Sequence, residues 1–157
     1  MSMKRRTFLK GALASGTVAA TAGLMPRLVF AEGAAKAAPA GFDAKTYEDA
    51  LKAISGGAEV ADSAAIAIKV PDIAENGAVV PIQINAELPK IESIAILVEK
   101  NPVPLIANFK FGENSVGYIS TRIKMGGTSN VVALVKADGK YFSAKKEVKV
   151  TVGGCGG

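Results

Sequence analysis

A chain of 157 residues with no histidine and one cysteine cannot assemble a Ser-His-Asp or Cys-His catalytic pair, a Cys-x-x-Cys redox centre or, on its own, an iron-sulfur cluster. Its 19 Lys and Arg outnumber 14 Asp and Glu, for a net charge of +5 and a pI near 9.4. That excess does not point to nucleic acid, because five of the cations (Lys4, Arg5, Arg6, Lys10 and Arg27) precede residue 32 and no acid does.

Lys4-Arg5-Arg6-Thr7-Phe8-Leu9-Lys10 followed by the uncharged stretch Gly11 to Pro26 reads as the charged and apolar regions of a twin-arginine export signal over residues 1–31, with Arg5 and Arg6 as its pair. Val29 and Ala31 put small residues at the two positions a signal peptidase inspects, so cleavage is expected after Ala31. The alternative is a membrane anchor, against which the run is Gly- and Ala-rich and shorter than the ~20 residues needed to span a bilayer. What remains after cleavage is 126 residues (157 less 31) with 14 cations (19 less five) against 14 anions. That length suffices for one domain with its own core. The signal implies the periplasm, where an odd cysteine suggests a reactive or intermolecular thiol.

Residues 32–41 are rich in Ala, Gly and Pro and read as a flexible leader. A domain over residues 42–152 follows. Asp43 is the expected cap of a short helix in which Tyr47, Ala50, Leu51 and Ile54 recur at helical spacing, and Gly56-Gly57 ends it. From Ala64 the pattern changes to about seven short runs rich in Val and Ile: Ala64 to Val70, Val79 to Glu87, Ile91 to Glu99, Leu105 to Phe111, Ser115 to Lys124, Asn130 to Lys136, and Lys140 to Val152. Three alternating series are expected to face the core: Val80, Ile82, Ile84 and Ala86; Leu105, Ala107, Phe109 and Phe111; and Val148, Val150 and Val152. Asp138-Gly139 suits a two-residue hairpin, while Pro71, Pro81, Pro102 and Pro104 belong at strand ends, edges or bulges. The fold class is all-β: an immunoglobulin-like sandwich of about seven strands with one short N-terminal helix, a closed barrel being the alternative.

Gly126-Gly127 lacks the lysine and the strand-to-helix setting of a phosphate loop and reads as turn chemistry. Lys145, Lys146 and Lys149 on the last strand could draw an anion or an acidic partner, but exposed and edge strands commonly carry lysine to discourage edge pairing. Residues 153–157, Gly153-Gly154-Cys155-Gly156-Gly157, place the one thiol where it has no neighbouring side chains. A fixed nucleophile needs a base or a cation beside it, and this tail supplies neither. The tail therefore reads as a flexible arm with Cys155 as a covalent attachment point, activated by whichever enzyme receives it. A plain intermolecular disulfide through Cys155 is the competing reading, and glycine after the cysteine is superfluous to it.

The twin-arginine start, the single sandwich domain and above all the terminal Gly-Gly-Cys-Gly-Gly behind a valine-rich strand resemble the SoxY family, the sulfur-compound carrier subunits of the periplasmic Sox thiosulfate-oxidation system. The resemblance implies that Cys155 carries thiosulfate-derived and persulfide sulfur, with Gly153, Gly154, Gly156 and Gly157 as its arm. It implies a heterodimer with a SoxZ-like subunit, loading by the haem protein SoxXA and release of sulfate by SoxB. Haem, manganese and the catalytic residues then belong to those partners, so the chain itself has no cofactor, no metal ligand and no catalytic residue. A ubiquitin-like sulfur carrier, which also ends in Gly-Gly, needs ATP-dependent activation of its carboxylate, and an exported chain is poorly placed for that.

Overall fold

The computed structural model describes residues 40–151. Helix α1 (Tyr47–Ser55) comes first. The cap expected at Asp43 falls instead on Thr46, whose backbone is extended and whose hydroxyl accepts from the Asp49 amide at 3.1 Å and donates to Asp49 Oδ2 at 2.8 Å. Both residue types cap well, and Thr46 is favoured by Asp49 three positions on, whose amide and carboxylate both bond the Thr46 hydroxyl. Gly56 at φ 64 ends the helix in the left-handed region, where a side chain is strained.

Nine strands follow among the described residues: β1 (Val60–Asp62), β2 (Ile66–Lys69), β3 (Ile73–Ala74), β4 (Val80–Ala86), β5 (Ile91–Val98), β6 (Leu105–Lys110), β7 (Tyr118–Ile123), β8 (Ser129–Ala137) and β9 (Lys140–Val150). One sheet runs β1-β9-β8-β5-β6 with β3 also on β9, and the other runs β2-β4-β7. The sandwich expected from the sequence is therefore present. The two unexpected strands, β1 and β3, are three and two residues long, too short to show alternation, and both pair in parallel with β9.

Between the sheets lie Ile82 and Ile84 of β4, Ile94 and Ile96 of β5, Ile119 of β7 and Val131, Ala133 and Val135 of β8. β4 alternates as expected, with Val80, Ile82, Ile84 and Ala86 all buried. β5 and β8 do not alternate, because their opposite faces are buried too: Ala95, Leu97, Val132 and Leu134 pack with Leu105 under Ala50, Leu51 and Ile54 of α1. A strand covered on both faces reads as a continuous apolar run.

The series from Leu105 to Phe111 departs from expectation. Ile96 pairs with Ala107 but Leu97 with Leu105, so the register slips at Ile106. That bulge turns Leu105 towards the helix. Phe109, in the regular part of the ladder opposite Ile94, is 38% exposed because β6 is an edge strand. In the third series Val148 is fully buried and Val150 packs on the core, whereas Val152 lies outside the described residues. Pro81 sits in the middle strand of its sheet but beyond the end of β2, whose pairing stops at Gln83, so it breaks no ladder on that side. Asp138 (φ 48) and Gly139 (φ 73) make the expected hairpin, closed by Ala137 opposite Lys140.

Candidate functional site

β9 carries the chain towards Cys155, so the end of β9 is the root of the tail. The ordinary ladder between β8 and β9 stops at Ser129 opposite Val148. Beyond it three consecutive amides are still satisfied. Lys149 N donates to Asp72 O at 2.9 Å and Thr151 N to Ala74 O at 3.1 Å, both on or beside β3. Val150 N points the other way and donates to Thr128 Oγ1 at 3.0 Å. From Thr151 four residue steps lead to Cys155, so covalent geometry alone keeps its Cα within about 14 Å of the root.

Cys155 and the arm glycines Gly153, Gly154, Gly156 and Gly157 lie outside the described residues, as do Arg5 and Arg6. Of the three lysines weighed for anion attraction, Lys146 pairs with Asp72 at 3.1 Å and approaches Val70 O at 3.4 Å. Asp72 thus accepts from β9 through its carbonyl and binds it through its carboxylate, which gives Lys146 a structural role. Lys145 and Lys149 are exposed.

The perturbed titrating groups are on the helix and at the hairpin end of the sheet. Burial, then the charges of Glu99, Glu48 and Asp62, push the Tyr47 phenol up. Hydrogen bonding between Lys136 and Glu92, 2.6 Å apart, holds Glu92 below the usual carboxylate range and raises Lys136. A cleft of about 760 Å³ at that same end is lined by Leu88, Ile91, Phe111 and Val116 and rimmed by Lys90 and Asp138. It lies at the start of β9, and the strand's 11 residues at ~3.3 Å each put it some 35 Å from the root. Among the described residues no three His, Cys, Asp or Glu side chains converge as metal ligands would.

Thr128, β3 and Gly77, which meet the end of β9, were not legible as site residues. Thr128 follows Gly126-Gly127 and Gly77 follows Asn76, so in the sequence each reads as part of a turn.

The fold and the course of β9 define a class: a β-sandwich domain, covered on one face by a helix, whose last strand leads to a cysteine set among glycines. The family model of the sulfur oxidation protein SoxY matches residues 51–155, from within α1 through Cys155, and the chain belongs to the SoxY family. The solved structure of the sulfur carrier protein SoxY from Chlorobium limicola f thiosulfatophilum is 39% identical, with a TM-score of 0.62, covering 67% of this chain and 96% of that one. The superoxide reductase (neelaredoxin) of Ignicoccus hospitalis aligns at a TM-score of 0.48 and 15% identity over 54% of this chain and 79% of its own. No curated protein matches.

Proposed function

We propose that this chain is a non-enzymatic carrier that holds sulfur intermediates covalently on Cys155 and presents them to partner enzymes during thiosulfate oxidation. The observation that carries the reading is that the family match runs through Cys155 itself, four residues past Thr151, whose amide is anchored just beyond β9. Arg5-Arg6 and the apolar run after them support export by the twin-arginine route and work in the periplasm.

The chemistry is consistent with what this chain lacks. Joining the Cys155 thiol to thiosulfate forms one sulfur-sulfur bond and releases a proton and two electrons, which pass to a haem partner of the SoxXA kind, leaving a cysteine S-thiosulfonate. Water then cleaves the bond to the sulfonate group, releasing sulfate and a proton and leaving a persulfide, in a step that belongs to a SoxB-like hydrolase. A SoxZ-like subunit completes the carrier as a heterodimer. Holding the intermediate covalently keeps it at high effective concentration for each enzyme in turn.

Intact-mass spectrometry of the periplasmic fraction of thiosulfate-grown cells tests all of this. The chain is expected without residues 1–31 and with adducts of about 32 Da for one sulfur or about 112 Da for thiosulfate, removed by reductant and absent after Cys155→Ala. A doubled mass with no such adducts would make the cysteine a crosslinker and overturn the reading.

A further inference from the structure

Lys149 and Val150 at the end of β9, and Thr151 just after it, are held by partners outside the β8–β9 ladder. β8 has ended at Ser129, so a plain two-stranded end would leave Val150 N without a carbonyl on that side. The Thr128 hydroxyl supplies the acceptor instead. On the other side a strand of only two residues, β3, pairs in parallel with Lys149 and Val150; Asp72 O just before it takes the Lys149 amide and Ala74 O the Thr151 amide. Ala74 of β3 is buried against the core, which fixes that strand in place.

A second line of support runs behind β3. Gly77 O accepts from Met125 N at 2.7 Å, and Met125 is fully buried. A Cβ at Gly77 would overlap the Met125 carbonyl and come to 2.9 Å from Val150 Cγ1, so only glycine lets the loop after β3, the Met125 loop and the end of β9 meet. The Met125 loop is braced in turn by Asn101, whose amide donates to Lys124 O at 2.8 Å and accepts from Gly126 N at 2.9 Å.

We infer that Thr128, together with β3 and Gly77, is a latch that sets the working length of the arm. This rests on the carrier reading of Cys155. With the latch closed, four residue steps separate Thr151, the last anchored residue, from Cys155, which bounds its reach at about 14 Å; with it open, pairing retreats to Val148 and seven steps separate the two, about 25 Å. A longer segment spreads the thiol over a larger volume and dilutes it at the mouth of a receiving enzyme. Thr128 is a positioning residue: it touches neither the cysteine nor its cargo.

The test uses the full mature chain with nitroxide labels on Cys155 and on a cysteine introduced by Lys52→Cys on the exposed face of α1, alongside amide hydrogen exchange without labels. Thr128→Val keeps the shape and removes the acceptor. It is expected to speed exchange of the Val150 amide about tenfold and to broaden the label-to-label distance distribution, while the melting temperature moves by no more than about 2 °C. Thr128→Ser is expected to restore both. Exchange and distances that stay at wild-type values in Thr128→Val, or wild-type amides 149–151 that exchange as fast as free peptide, would overturn the latch. Neither readout involves sulfur chemistry, so a chain that shows the latch but never acquires sulfur adducts refutes the carrier reading alone.

Discussion

Glu92 is held down first by its hydrogen bond with Lys136 and next by the Gly139 amide, which donates to its Oε1 at 2.8 Å; Lys136 is raised by the same pairing. A depressed carboxylate contributes stability above its unfolded range, and loses it as pH falls through the folded value. A raised ammonium contributes below its unfolded range, and loses it as pH rises through the folded value. The pair therefore supports the fold across the whole interval between. Glu92→Gln is expected to lower the melting temperature at neutral pH, and the gap from wild type should close as the pH drops through the depressed range of Glu92. A gap that persists unchanged in acid would show that the amide substitution acts through packing. At this scale the sequence was informative where one residue type suits one geometry, as at Asp138-Gly139. It was ambiguous where two neighbours compete, as Asp43 and Thr46 do for the cap, because the deciding hydrogen bond to Asp49 exists only once the helix has formed.

Leu97 and Phe109 separate the elements with two covered faces from the edge. Leu97 is fully buried between the sheet and α1, so Leu97→Ala is expected to cost about 2–5 kcal/mol in chemical denaturation. Phe109 is a larger side chain but 38% exposed on β6, and Phe109→Ala should cost clearly less, about 1–2 kcal/mol at most. Equal losses would place Phe109 in the core and contradict its exposed position on the edge strand. The seven longer strands were legible because β-branched runs between turn residues announce themselves. The bulge was not, since a slip of register leaves the spacing of apolar residues in β6 intact while changing which face each one meets. β1 and β3 were illegible for another reason: two or three residues carry no periodicity, and only β9 makes them strands.

For the molecule as a whole, the buried apolar residues among those described run from Ala50 to Val148, so the core closes before the tail begins. Removing residues 153–157 is expected to leave the melting temperature within about 2 °C of wild type, whereas a larger drop would mean that the tail packs on the domain. The attachment residue proposed above, Cys155, rests on the sequence and the family match alone, because a thiol flanked by glycines has few structural uses. Its setting could not be read. The partners of the β9 end, Asp72, Ala74 and Thr128, are up to about 80 residues distant along the chain, and nothing local to Val148, Val150 or Gly153 indicates them.

The parallel seating of β9 against β1 and β3 also affects how the molecule is made. Ser143 reaches back 81 positions to Asp62, and Lys146 reaches back 76 to Val70, so these contacts close large loops that must wait for the C-terminal strand. A ribosome that stalls before β9 releases a chain whose β8 edge is bare and whose β1 and β3 have no strand to join. Such a product exposes open backbone to proteases and chaperones. A chain that stops before β9 therefore lacks both a finished sheet and the cysteine that follows it.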